Sequence, residues 1–383
     1  MGGASGHMPH PFDLEIVESG AGLIKLFSSI ETLFRNEDIS EFANVKIDGS
    51  NLSFKLVGNQ FAVDRGTQKP IDVEGITIDR IHERYDPSYQ VYKDIEKLLT
   101  ILNSAYYDII PELKELNLEN NTLFLNTEFV NKTNVVDYEY DFIAIHGVSQ
   151  FYEKYRKVKG GKFIKTRPGL YNPENRNKAI SLELDYNKEA MDSLVFKLNK
   201  HAEKFKMKVF GPIPASFAKE TSIEKALNTK LRIPTELKTE FVKSCNGKTL
   251  LHWLENIKEL PAKYSFKNKR YDKFYETKDG KKINPYHKKT YYQVVEDKVM
   301  LSDIANSEFD HDNIMAGIVI LHATRLIGQV LLNSLTSEVG DVSNHEGVVL
   351  RNRKYSNHPF KITGEYLVKG MFGYIAKDLA SRK

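Results

Sequence analysis

Cysteine is almost missing from this chain of 383 residues, with Cys245 the single one. One thiol excludes an internal disulfide and any cysteine-cluster metal site, and it suits a reducing cytoplasm. A buried, inert thiol is the expected role. Long apolar runs are scarce as well. None is read as approaching the roughly 20 residues of a membrane span, so no membrane partner is expected. Repeats and low-complexity tracts are absent. No signal peptide is read after Met8, and residues 1–7 (Met-Gly-Gly-Ala-Ser-Gly-His) read as an expression scar.

What is present is globular material. The chain is 41% hydrophobic and 28% charged, enough to bury a sizeable core in one large domain or two ordinary ones. Its net charge of +4 hides an asymmetry. Residues 151–340 carry 35 Lys and Arg against 23 Asp and Glu, a net of +12, and the rest carries 20 against 28, a net of −8. A basic middle in an acidic frame points to a polyanion partner. Within it, residues 263–292 hold ten Lys or Arg, three acids and eight Tyr or Phe. The runs Lys269-Arg270-Tyr271, Lys273-Phe274-Tyr275 and Lys288-Lys289-Thr290-Tyr291-Tyr292 lie there. Basic side chains neutralise phosphates, and interleaved aromatics stack on bases or sugars. Lys269, Arg270, Lys288 and Lys289 are therefore candidate nucleic-acid contacts. The alternative is a solvated basic loop with its aromatics packed beneath.

Periodicity outlines an α+β fold. Residues 13–18 read as a short strand, and Leu23, Leu26, Phe27, Ile30, Leu33 and Phe34 as the apolar face of a helix over 21–35. Phe42, Val45 and Ile47, then Leu52, Phe54 and Leu56, read as two strands of a hairpin turning at Asp48-Gly49. That turn would put Lys46 at a strand end, partly desolvated, which lowers an amine's pKa and makes it a usable nucleophile. A strand over 60–64, a charged loop over 79–85, helices over 88–104 and 107–115, and core strands over 122–130 and 141–148 follow. Helices are then expected over 184–206, after a capping box at Thr221–Glu224, from Pro234 toward Gly247, over 249–260 and over 314–335. Strands are expected at Gly347–Leu350 and Pro359–Ile362, before a terminal helix.

Six short motifs recur in a fixed order: Lys46-Ile47-Asp48-Gly49-Ser50-Asn51, Asp64-Arg65-Gly66, Asn126-Thr127-Glu128-Phe129, Asp141-Phe142-Ile143-Ala144-Ile145, Glu346-Gly347-Val348-Val349-Leu350 and Phe360-Lys361-Ile362. Together they resemble the collinear motifs of the covalent nucleotidyltransferases, the superfamily of polynucleotide ligases and capping enzymes. The resemblance spans about residues 40–150 and 340–370. It implies an antiparallel-sheet adenylation domain over 8–150 and 341–383, interrupted by an inserted, basic, mainly helical nucleic-acid-binding subdomain over 151–340. The chain ends about 20 residues after the last motif, so no C-terminal OB domain is expected.

The resemblance also implies roles. Lys46 is the nucleophile on the α-phosphorus of ATP, Arg65 holds the ribose or phosphates, and Glu128 takes the ribose hydroxyl or a metal. Glu346 is the acidic residue at Mg2+ (or Mn2+) and its waters, and Lys361 contacts the α-phosphate. Val45 beside the nucleophile and Val349 as the aliphatic floor complete the nucleotide site. DNA ligases usually carry arginine five residues after the nucleophile, whereas Gly49-Ser50-Asn51 is similar to the phage nick-sealing RNA ligases, where asparagine orders a water on the metal. The chain departs from the pattern in places. Ile145 stands where an aromatic normally stacks on adenine, His146 replaces the following aspartate, and Phe142 is the substitute for the stack. Pro359 and Thr363 flank Lys361 where a second lysine is usual, so one phosphate contact is either missing or supplied by Lys369. The expectation is an ATP-dependent polynucleotide ligase, a cytoplasmic monomer (in the host cytoplasm if phage-encoded) acting on nicked duplex RNA, DNA or hybrid. The alternatives are a GTP-dependent capping-type enzyme and a non-catalytic nucleic-acid-binding protein on a ligase fold.

Overall fold

The computed structural model describes residues 8–64, 71, 74–120, 123–131, 138–150, 183–231, 239–260 and 311–365, with backbone alone at 313–314 and in short strands between 154 and 182 and between 275 and 283. In chain order its main elements are helix α1 (Gly20–Asn36), strands β1 (Ala43–Lys46), β2 (Ser50–Asn51), β3 (Ser53–Val57) and β4 (Gln60–Asp64), and helix α2 (Gln90–Glu115). Strands β5 (Leu123–Val130), β6 (Phe142–Gln150) and β7 (Leu182–Leu184), helix α3 (Lys188–Ala202) and strand β8 (Lys208–Phe210) follow. Helix α4 (His311–Leu332) and strands β9 (Gly347–Leu350) and β10 (Phe360–Thr363) complete the set. The fold mixes helices with largely antiparallel sheets, as expected of an α+β chain.

Contacts divide the chain into two compact units, one built on Ile47–Pro173 and Asn177–Ile213, the other on Pro9–Lys46 and Pro214–Lys383. The expected division at 150 and 340 is not where the chain parts. The physical reason is sheet completion: β7 and β8 both pair with β6, and α3 joins the core above them, so the stretch after 150 serves the first unit. From Pro214 the chain serves the second.

In the first unit the sheet runs β7-β6-β5-β3-β4, with β2 added beside β5 and β8 parallel to β6. Helices α2 and α3 pack on its apolar face. Leu98, Leu102, Ala105, Ile109 and Leu113 recur along α2 at three- and four-residue steps, and all are buried, as are Met191, Leu194 and Leu198 on α3. Burying each large aliphatic side chain stabilises the unit by about 1.5–3 kcal/mol relative to exposure. Polar ties run in reversed order along the pair, Lys197 to Glu112 at 2.6 Å and His201 to Asp108 at 2.7 Å, so the helices are antiparallel. Two helices were expected where α2 is one. The buried spacing continues unbroken through Ala105, and Pro111 is accommodated inside the helix.

In the second unit β1, β9 and β10 form an antiparallel sheet. The expected hairpin about Asp48-Gly49 is therefore corrected. β1 pairs with β9, placing Lys46 opposite Gly347 far downstream, while β2 and β3 pair with β5 in the other unit's sheet. The expected strand over 13–18 is also absent; a 3-10 turn at Pro11–Asp13 stands there, closed by His10 N–H donating to the Asp13 carboxylate at 2.9 Å. The expected box at Thr221–Glu224 does not form, because Ile223 is the N-cap and the Ser222 hydroxyl accepts from Glu224 N–H. Within α4, Met315–Leu332 is long and apolar enough by composition to cross a membrane, contrary to the sequence reading, but 83% of it is buried inside the protein. It is the core helix of this unit, packed against β10. Cys245 is fully buried, and burial pushes its thiol pKa up, consistent with inertness.

Candidate active site

In the second unit, sheet register assembles the chemistry. Lys46 is the last residue of β1 and lies opposite Gly347, so Glu346, one residue earlier, comes beside it. The Lys46 ammonium donates to Glu346 Oε2, and Lys361 Nζ stands 3.8 Å from Glu346 Oε1. Lys361 reaches that carboxylate from β10, where it pairs with Val349. The three side chains are 19%, 11% and 14% exposed for Lys46, Glu346 and Lys361, so the expected desolvation of the lysine is present. Two ammonium groups flank one carboxylate in a mostly dry place, and lysines so placed suit an anion such as phosphate. Beneath them Val45, Val348 and Val349 are buried, with Val349 still 7% exposed.

Gly347 makes this approach possible. Its φ is +148°, and a Cβ there would lie 1.9 Å from the Ile362 carbonyl oxygen. Any other residue would push β10, and Lys361 with it, away from Glu346. His345, which the sequence reading passed over, is buried next to Glu346, and its Nε2–H donates to the Val339 carbonyl at 3.2 Å. Burial lowers its pKa, only partly opposed by that bond and by Asp341.

In the first unit, the segment after Lys46 is held by side chains. Asp48 N–H donates to the Tyr138 hydroxyl at 3.0 Å, and Gly49 N–H to Glu128 Oε2 at 2.9 Å. Gly49 is needed for closeness and not for a turn. A Cβ on it would meet the Phe129 carbonyl oxygen at 2.9 Å and Glu128 Oε2 at 3.0 Å. Asn51 Nδ2 donates to Asn126 Oδ1 at 3.2 Å, and the buried Ser53 hydroxyl donates to Asn51 Oδ1 at 3.2 Å. The β5–β6 pairing slips at Asn126/Thr127, which face Gly147 and Ile145 and leave His146 as the extra, bulged residue.

One expected site residue is misplaced. Phe142 is 1% exposed, its ring boxed edge-on by Tyr138 at 5.1 Å, Phe210 at 5.4 Å and Tyr140 at 6.0 Å. It is a core ring and presents no face to a base. Ile145, at the position where the pattern has its stacking aromatic, is fully buried as well. Arg65, Lys369 and the basic residues Lys269, Arg270, Lys288 and Lys289 lie outside the described residues.

Among the described residues no three His, Cys, Asp or Glu side chains stand together as a metal cage. Glu346 nevertheless suits a hard cation, because Mg2+ is usually held by one or two carboxylates together with substrate phosphates. Glu128 and Asn51, the other expected ligands, belong to the other unit, where Glu128 Oε2 and Asn51 Oδ1 have the protein partners just given. Compared with known proteins, the chain matches no family model, no curated protein and no solved structure.

Proposed function

We propose that this protein is an ATP-dependent polynucleotide ligase of the covalent nucleotidyltransferase kind, sealing 3′-hydroxyl to 5′-phosphate ends through a lysyl-AMP on Lys46. The observation that carries the reading is the Lys46–Glu346–Lys361 cluster, built by register from three separate motifs of the six. The adenylation core with an accessory nucleic-acid-binding region, the nicked-duplex partner and a cytoplasmic location belong to the same proposal. So do ribose or phosphate contacts by Arg65 and Glu128.

In the first step the Lys46 amine, having lost its proton, attacks the α-phosphorus of ATP. A nitrogen–phosphorus bond forms, the bond to the β-phosphate oxygen breaks, and pyrophosphate leaves with the electron pair. In the second, an oxygen of the 5′-phosphate attacks the same phosphorus and returns the pair to Lys46. In the third, the 3′-hydroxyl attacks the 5′-phosphate phosphorus and AMP departs. Glu346 holds the Lys46 amine at the strand end, and Lys361 offers a positive charge to the α-phosphate as negative charge builds there. When bound, Mg2+ would supply charge neutralisation at the pyrophosphate, with Glu346 among its ligands.

Incubation with labelled ATP or GTP and Mg2+, followed by denaturing electrophoresis, tests this. Label from ATP retained on the chain supports the ligase reading. Label from GTP alone would favour a capping enzyme, and none from either would leave a binding protein.

A further inference from the structure

We infer that Tyr138, which lies in none of the six motifs, is a positioning residue for the nucleophile, acting through the backbone of Asp48. The inference rests on the reading of Lys46 given above. Lys46 ends β1 in the second unit, and regular pairing resumes only at Ser50, opposite Phe129. Neither Asp48 N–H nor Gly49 N–H is bonded within a strand ladder. Both donate to side chains, Tyr138 Oη and Glu128 Oε2, at 3.0 and 2.9 Å. The path of the chain immediately after the nucleophile is thus set by two consecutive side-chain acceptors.

The Tyr138 hydroxyl is well suited to that task because its ring is itself held. Tyr138 meets the buried Phe142 ring edge-on at 5.1 Å and 85°, and Phe142 packs in turn on Phe210 at 5.4 Å. The packing uses the ring and not the oxygen. A phenylalanine would therefore keep the aromatic contact and lose the acceptor for Asp48 N–H. A half-buried N–H stripped of its partner relaxes toward water, which turns the Ile47–Gly49 segment that follows the nucleophile in the chain. Displacements near 1 Å at a reacting centre lower rates by as much as about 100-fold. Glu128 shares this work: its Oε2 is bonded to Gly49 N–H, so any contact it makes to ribose starts from a carboxylate already fixed by the loop.

The experiment is single-turnover transfer of AMP from ATP to the intact chain, comparing wild type with Tyr138→Phe. The expected result is a roughly 10-fold lower maximal rate, with the ATP concentration at half-maximal rate unchanged and the melting midpoint close to wild type. Amide exchange at Asp48 should quicken in the same variant. A Tyr138→Phe protein that labels at the wild-type rate overturns the inference. So does a rate loss that merely tracks a lowered melting midpoint, which would make the hydroxyl structural. Tyr138→Leu, which removes the ring as well, shows how large such a structural effect is. Absence of label in the wild type would instead overturn the ligase reading, and this inference with it.

Discussion

Lys46 and Glu346 are separated by 300 positions in the chain and joined ammonium to carboxylate in the fold. Replacing Lys46 by arginine should keep a cation on Glu346 and preserve the melting midpoint, yet abolish covalent labelling, because a guanidinium does not act as the amine nucleophile at neutral pH. Lys46→Ala should also be unlabelled, with a stability loss of about 1–3 kcal/mol, limited because Lys361 remains 3.8 Å from the carboxylate. Pre-adenylated substrate bypasses the first step, so some sealing of it should survive in Lys46→Ala. Retained label in either variant would remove Lys46 from the mechanism.

Gly347→Ala should be among the most damaging single changes available. The new Cβ would fall 1.9 Å from the Ile362 carbonyl, at a φ of +148° that side chains rarely adopt. A cost above about 4 kcal/mol is expected, with loss of cooperative unfolding in the second unit. Gly49→Ala meets softer resistance, at 2.9 Å from a backbone oxygen and 3.0 Å from the Glu128 carboxylate. It should cost about 1–3 kcal/mol as an overpacking change. Chemical denaturation of both variants checks the ranking.

Metal dependence should separate Glu346 and Asn51 from the nucleotide clamp. Glu346→Ala and Asn51→Ala remove oxygens proposed to position the cation or its water, so extra Mg2+ or a change to Mn2+ should partly restore AMP transfer. Arg65→Ala removes a contact to the nucleotide itself, and metal should not restore it. Parallel responses of all three across one titration would contradict this division of roles.

The same cluster marks how far sequence reasoning reached. Lys46, Glu346 and Lys361 were legible as candidates because short motifs carry chemistry in residue type, and the fold brings the three together. Their partner strands were not, since alternating apolar residues around Asp48-Gly49 fit a local hairpin as well as two strands in different sheets. Only register decides, and here β1 pairs with β9. Phe142 shows the converse: an aromatic at the right spacing reads as a stacking ring until its neighbours Tyr138, Tyr140 and Phe210 are seen to enclose it. Tyr138 carried no signal, because its role depends on meeting an N–H 90 residues away. Helix periodicity placed α1 and α4 within a few residues of expectation, though it split α2 in two.

Two buried titratable groups should bend the stability profile in opposite directions. Burial raises the pKa of Asp94, chiefly opposed by hydrogen bonds from Gln90 and Asn131, with Asp141 and Lys97 as the nearby charges. A raised folded pKa means its contribution is full below the unfolded value, near 3.9, and is lost as pH rises through the folded one. Asp94→Asn should therefore gain on wild type as pH climbs from 4 to 7. His345 is the reverse case: burial lowers its pKa, so its contribution is present above about 6.5 and is lost as pH falls toward the folded value. His345→Gln should flatten the acid side. Denaturant midpoints between pH 4 and 8 test both, and parallel profiles in all three proteins would contradict them.

The basic stretch at 263–292 should act on affinity and leave the chemistry alone. Its ten Lys or Arg and eight Tyr or Phe lie in a segment of net +12, a composition suited to the phosphodiester backbone of a nicked duplex. Contacts to phosphate carry little sequence information, so the stretch should strengthen binding without selecting sequence. Each phosphate neutralised releases condensed counterions, which makes log affinity fall with log salt by roughly one unit per contact. Substituting Lys269, Arg270, Lys288 and Lys289 together by alanine should leave AMP labelling of Lys46 intact. Duplex affinity should drop at low salt, and the salt slope should shrink by up to about four units, one per lost contact. Titrations of a nicked duplex at several salt concentrations, run beside AMP labelling of the same protein, measure both effects. An unchanged slope would mean these four charges face solvent and the strands are held elsewhere. A lost label would mean the stretch serves adenylation and not the duplex.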